Sequence, residues 1–245
     1  MHARIDLVTL AFSVALVGAN TAHAEDFRVD TDVFLGGGAE EPVAETLTLF
    51  SQGLVYDFIL NGSEEITIFD VNRGNVVLLD TERRMMTSLT TEQLLEFSAK
   101  IKTLAQGDEW SALFFPQFDT QFDAHNRQLE LVSPNLTYRV TGIRPKMPGA
   151  ARQFRQFADW YARLNAIRPG NLPPFARLEL NRALEDRELV PQEVDREIVI
   201  AGRFGSKELR ARSIHSFVWM LSGTDRKRVE KASRLRAEFA PAVSL

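Results

Sequence analysis

Residues 66–89, ITIFDVNRGNVVLLDTERRMMTSL, read as three short strands joined by two tight turns. In the middle strand Val76 and Leu78 point to one side and Val77 and Leu79 to the other, because successive side chains of a strand alternate. A hairpin strand with one wet face would alternate apolar with polar residues. This one has to be covered on both sides, by helices of its own chain or by helices and a ligand together. That requirement narrows the folds open to the chain more than any other feature.

The flanking sequence extends the pattern. Residues 27–35 place Phe27, Val29, Thr31, Val33 and Leu35 on one side and Arg28, Asp30 and Asp32 on the other, a period-two strand with one wet face. Residues 43–50 follow as a second strand beyond Gly36-Gly37-Gly38 and Pro42. Residues 54–60 are apolar on both faces apart from Asp57, and the Asn61-Gly62 pair behind them is a strong hairpin signal, since both residues tolerate positive φ. The expectation is an antiparallel meander of about six strands. Thr90 and Gln93 then form a capping box for a helix whose Leu94, Phe97, Ile101 and Leu104 recur at helical spacing and should be buried.

A Phe- and Trp-rich stretch, from Trp110 to Phe122, has no clean period and reads as a buried irregular connection. Residues 127–132 and 136–141 form a further hairpin. Beyond Pro148 an amphipathic helix carries Phe154, Phe157, Ala158, Tyr161 and Leu164 on one stripe. A third helix follows Pro173-Pro174, residues 190–200 and 209–221 close the strands, and Ser222 with Asp225 caps a last helix. Hairpins with helices between them give an α+β fold, a single domain over residues 25–245, and argue against a parallel doubly wound sheet.

The first residues address the compartment. An apolar run over residues 7–19 follows Arg4 and precedes Ala22-His23-Ala24, the pattern of a signal peptide cleaved between Ala24 and Glu25. The run is shorter than the ~20 residues that span a bilayer, so the expected product is exported, periplasmic or extracellular, without a transmembrane span. The chain has no cysteine, so no disulfide and no lipid-modified Cys can support or anchor it. Its net charge of −4 argues against a nucleic-acid partner. A local basic cluster, Arg226, Lys227, Arg228 and Lys231, reads either as a solvated helix face or as a dock for an anionic envelope surface.

Chemistry is sparse. With no cysteine and only His125 and His215 beyond the leader, no metal site and no cofactor is expected. G-x-S-x-G, H-E-x-x-H and dinucleotide fingerprints are missing, and Asp30-x-Asp32 fails as a calcium loop because Phe34 takes the next ligand position. A carboxylate pair of the glycosidase kind stays open, since spacing along a chain says nothing of separation in space.

The phrases LVYDFI, ITIFDVNRGNVVLLDTERRMMTSLTTEQLLEF, FADWYARLNA and RLELNRALEDRELVP resemble an uncharacterised family of secreted bacterial proteins of planctomycete type. More distantly, a strand carrying LLD, a basic turn and then MTSL is similar to the lipoprotein-carrier (LolA-like) superfamily. That resemblance implies a strongly curved antiparallel meander sheet, an incomplete barrel, with helices packed on one side and an apolar or lipid ligand between. The resemblance carries over no binding residue; the apolar stripes of the two helices offer Leu94, Phe97, Ile101, Phe154, Phe157 and Tyr161 as the lining. The alternatives are an envelope structural or interaction protein with a fully packed core, and a hydrolase using a carboxylate pair.

Export is directly measurable: the intact mass of the exported chain should correspond to residues 25–245, and a mass retaining the first 24 residues would refute cleavage at Ala24.

Overall fold

The structure, a computed structural model, describes residues 26–36, 41–62, 64–104, 111–202 and 205–241; the cleavage site at Ala24 and Glu25 lies outside them. Six strands come first: β1 (Phe27–Leu35), β2 (Ala44–Ser51), β3 (Leu54–Ile59), β4 (Glu65–Asp70), β5 (Asn75–Asp80) and β6 (Met85–Thr90). They lead into α1 (Thr91–Leu104), a short α2 (Ser111–Phe114) and a second run of strands, β7 (Asp119–Asp123), β8 (Gln128–Val132) and β9 (Leu136–Ile143). Then come α3 (Ala150–Ala166), α4 (Phe175–Glu185), the long hairpin β10 (Val190–Gly202) and β11 (Gly205–Val218), α5 (Gly223–Glu238) and a two-residue β12 (Ala240–Pro241).

All strands share one sheet in the order β12-β6-β5-β4-β3-β2-β1-β11-β10-β9-β8-β7. Two meanders are thus joined through the β1–β11 pair, and every pairing is antiparallel except that of β12 with β6. The sheet is open, with β12 at one end and β7 at the other. The α+β class and the six-strand opening meander agree with the sequence patterns.

Register explains the doubly apolar strands. Phe50, Val55, Phe69, Val76 and Leu89 fall in one cross-strand row, while Leu49, Tyr56, Ile68 and Val77 fall in the adjacent row on the opposite face. The first row packs with Leu94 of α1 and with Phe154, Phe157, Ala158 and Leu164 of α3. The second packs with Leu221, Ala232 and Phe239, in and around α5. On the second meander, Leu129, Tyr138, Val140 and Val194 pack against Ala176, Leu180 and Leu184 of α4. The row Val33, Ser213, Val194, Val140, Leu129 places α4 on the same face as α3. Helices packed on one side only is therefore corrected: α5 covers the reverse face of β2–β5, which is why those strands need no polar side.

Polar contacts seat α5. Ser222 and Asp225 form the expected capping box, with Ser222 Oγ accepting from the Asp225 N–H at 3.1 Å. Arg28 Nη1 lies 3.1 Å from Asp225 Oδ1, Tyr56 Oη 3.1 Å from Ser233 Oγ, and Arg236 3.7 Å from Asp70. Burial alone would push the Asp225 carboxyl up, but the hydroxyl and N–H of Ser222 together with the Arg28 cation hold it below the ordinary value.

Two further expectations change. The capping box of α1 is present, Thr90 N–H donating to Gln93 Oε1 at 2.8 Å and Gln93 N–H to Thr90 Oγ1 at 3.1 Å. Of its apolar stripe, however, only Leu94 is buried; Ile101 is half-buried, Phe97 is 36 % exposed and Leu104 82 % exposed. The helix leaves the sheet from β6, which only β12 flanks on its outer side, so its later turns have little to pack on. The connector read as buried and irregular instead supplies α2 and the edge strand β7, all five of whose residues are exposed. Its polar sequence, DTQFD, hides the alternation that a half-buried strand would display.

Replacing Leu94 by Ala should therefore cost about 2–5 kcal/mol in urea unfolding, whereas Leu104→Ala should stay within about 0.5 kcal/mol of the parent. Ala232→Asp, which puts a carboxylate against Leu47 and Val77, should prevent stable folding. Equal costs at positions 94 and 104 would refute this placement of α1.

Candidate functional site

On the α3/α4 face several strands carry small polar residues where a packed core would have large apolar ones. Thr31 on β1, Thr46 and Thr48 on β2, and Ser213 on β11 all point toward the helices. Short side chains leave volume between sheet and helices, and a cleft of about 360 Å³ opens there. That size falls within the ~300–1,000 Å³ of small-molecule sites. Phe154, Phe157, Ala158, Tyr161 and Ala162 of α3 form one wall, and residues 171–174 with Ala176 and Arg177 of α4 another.

Three of the six lining residues expected from the sequence, Phe154, Phe157 and Tyr161, border this cleft. Leu94 is 1 % exposed in the core beneath α3, and Phe97 and Ile101, on the same helix as Leu94, are not among the lining residues. Five polar residues that matter here escaped the sequence reading as a group: Asp57, Tyr138, Arg177, Arg196 and His215. Asp57 alone left a trace, as the one polar interruption of an otherwise apolar strand.

The aromatic wall is tightly organised. Phe157 sits edge-on to Phe69 at 5.3 Å between centroids, Phe154 edge-on to Phe217 at 5.4 Å, and Phe154 6.2 Å from the His215 ring. Such edge-to-face pairs hold rings in fixed orientations, so the wall is rigid.

His215 is buried. Nδ1 lies 3.0 Å from Thr31 Oγ1 and Nε2 3.0 Å from Ser213 Oγ, so hydroxyls satisfy both ring nitrogens. Burial, with Arg177 nearby, pushes its pKa down to about 3. A Ser–His pair invites comparison with nucleophilic catalysis, but the third group is a threonine, where a carboxylate would stabilise an imidazolium. With so low a basicity the imidazole is a weak proton acceptor for Ser213. His125 is exposed, its N–H donating to Asp123 Oδ1 at 2.8 Å. Among the described residues no three metal-ligating side chains stand together.

Charge divides the cleft. Asp57, 3 % exposed, accepts from Thr48 Oγ1 at 2.7 Å. Burial pushes its carboxyl up to about 6; the Thr48 hydrogen bond and Arg168 oppose the rise, and Glu65 adds to it. On α4, Arg177 donates from Nε to Asn181 Oδ1 at 3.1 Å, and Asn181 Nδ2 donates to Asp159 Oδ1 at 2.8 Å. Burial lowers the Arg177 pKa. It shares its end of the cleft with Arg196 and Tyr138, which follow one another across β10 and β9.

A larger groove of about 490 Å³ lies along β10 and β11 near Arg139, Glu197, Arg210 and Arg212. Its charges neutralise one another: Arg139 is 3.4 Å and Arg210 3.7 Å from Glu197, and Arg212 is 2.6 Å from Glu193. A ladder of exposed, mutually paired ions offers a ligand little. On α5, Arg226 lies 3.5 Å from Asp26, while Lys227, Arg228 and Lys231 are exposed without an ion pair among the described residues.

The raised Asp57 pKa has a consequence for stability. From about pH 4 upward to about 6 the folded chain keeps a proton that the unfolded chain has released, so stability falls with rising pH through this window and stays reduced above it. The full effect is about 3 kcal/mol. Asp57→Asn keeps an acceptor for Thr48 and removes the titration. In urea unfolding the variant should exceed the parent by up to about 3 kcal/mol at pH 7.5, with the gap closing near pH 4. His215 contributes equally to both proteins and drops out of the difference. A variant no more stable than the parent at pH 7.5 would show Asp57 to be well solvated or well paired.

No family model matches this chain, and no curated protein matches it.

Proposed function

We propose that the chain is an exported, soluble carrier that holds an apolar ligand, an acyl chain in the first instance, between a strongly curved, incompletely closed sheet and helices α3 and α4. The observation that supports this most is the cleft itself: about 360 Å³ between two layers that a fully packed domain would bring into contact. Its aromatic wall, Phe154, Phe157 and Tyr161, offers apolar surface, and a few fixed polar groups interrupt it, the usual make-up of a small-molecule site. The resemblance to lipoprotein carriers points the same way. The threonines at 31, 46 and 48 that face the helices are small where a fully packed core would place large apolar side chains. Nucleophilic hydrolysis by Ser213 would need a stronger base than His215 and a partner carboxylate that the pair lacks. The exposed Lys227, Arg228 and Lys231 on the opposite face would draw such a carrier toward anionic envelope surfaces, an attraction that salt weakens.

Protein purified from its own host should carry extra mass in native mass spectrometry, released by organic solvent, and the stripped protein should take up a fluorescent fatty acid. Ala162→Trp, which places an indole in the cleft, should abolish uptake with little change in thermal midpoint. A bare polypeptide mass together with no uptake would end the carrier reading.

A further inference from the structure

The cleft has chemically different ends, and this bears on what sort of apolar ligand it takes; the argument rests on the carrier reading above. Asp57 lies on β3 and Arg196 on β10, with β2, β1 and β11 between them. Four strand spacings of ~4.8 Å separate them across the sheet, and the register displaces them further along it, Asp57 falling in the row of Val29 and Arg196 in the row of Leu35, six residues on along β1. Acid and cation therefore do not neutralise each other, and each governs one end.

At the cationic end Arg177 and Arg196 face a common space from opposite layers. The charge of Arg177 acts on Tyr138, Arg196 and His215 of the sheet and on Tyr161 of α3, which locates it between sheet and helices. Its Nε is held by Asn181, and Asn181 is held by Asp159, so the side chain is aimed before any ligand arrives. Neither Arg177 nor Arg196 has a carboxylate within ion-pair distance among the described residues, whereas Arg139, Arg155, Arg210 and Arg212 all do. Only Asp159, one residue removed through Asn181, offsets the charge of Arg177, and two half-buried guanidinium groups that repel each other with no direct ion pair are costly to keep in a fold. The first turn of α4 adds to the same potential, since its N-cap is Pro174 and no side chain caps it.

From this juxtaposition we propose that the ligand is an acyl amphiphile with an anionic head, a carboxylate or a phosphate, which Arg177 and Arg196 clamp while the chain lies along Phe154 and Phe157. Guanidinium groups suit this task because each presents paired N–H donors to paired oxygens. Tyr138 stands beside Arg196 and supplies a hydroxyl at the same end. The carboxyl of Asp57 at the far end disfavours a ligand that is negatively charged at both termini.

Dodecanoate, dodecyl phosphate and dodecanol, titrated into delipidated protein at pH 7.5, test the assignment. Both anions should bind roughly ten- to a hundredfold tighter than the alcohol, the gain of charge-assisted hydrogen bonds. Dodecanoate alone gaining would make the head a fatty-acid carboxylate; dodecyl phosphate alone gaining would make it a phosphate. Arg177→Gln and Arg196→Gln should each bring the favoured anion down toward dodecanol while leaving dodecanol unchanged, and Arg177→Lys should restore part of the loss. Equal affinity of the parent for all three would overturn the anionic-head assignment and leave the carrier reading standing. Failure of all three to bind would overturn both. The three-ligand comparison on the parent decides the matter even where a variant fails to fold.

Discussion

The central constraint on this structure is that β2 to β5 are largely buried on both faces. A sheet of that kind cannot exist with one side in water, so two independent covers are obligatory, and the chain draws them from distant segments. α3 supplies one through Phe154, Phe157 and Ala158, and α5 supplies the other through Ala232. The two covers are made differently. α3 brings a broad aromatic stripe, whereas α5 is mostly polar and brings a narrow one, Ala232 flanked by the partly buried Val229 and Leu235. Its attachment depends on polar contacts with the sheet, among them Arg28–Asp225 and Tyr56–Ser233. An almost uniformly charged helix can thus serve as half of a sandwich.

Local signals in the sequence carried much of the fold. Period-two alternation located β1, a short apolar run between two turns located β5, Asn61-Gly62 marked the β3–β4 turn, and the capping residues Thr90 and Ser222 marked the starts of α1 and α5. Each of these is decided within a few residues. What stayed hidden depends on pairing at long range. The burial of His215 follows from its place opposite Thr31 across the β1–β11 pair, and the exposure of Phe97 from the scarcity of sheet beyond β6. The side taken by α5 could not be read from its own composition, because its apolar stripe is so narrow.

The cleft was half legible for the same reason. Its aromatic wall lies on a single helix, so spacing alone put Phe154, Phe157 and Tyr161 together. Its polar members come from β3, β9, β10, β11 and α4, and only the sheet order unites them. One local clue was available: threonine at 31, 46 and 48 on strand faces turned toward the core. A hydroxyl there occupies little volume and satisfies a neighbour, Thr48 binding Asp57 and Thr31 binding His215. The same residues that make room for a ligand thereby make its polar surroundings tolerable.

The long stretch of chain between β5 and α5 sets the order in which the sheet can be covered. β5 ends at Asp80, yet the helix that covers its second face begins only at Gly223, and β12 then reaches back to pair with β6. Until those last elements arrive, the face carrying Leu47, Ile68 and Leu79 has nothing to exclude water from it. Closing so long a loop makes assembly slow, because its entropy is lost before any contact repays it. During that interval the first meander is a sticky intermediate. A chain built this way stays unfinished, and accessible to whatever holds or moves unfolded polypeptides, until residues 223–241 have been made and docked.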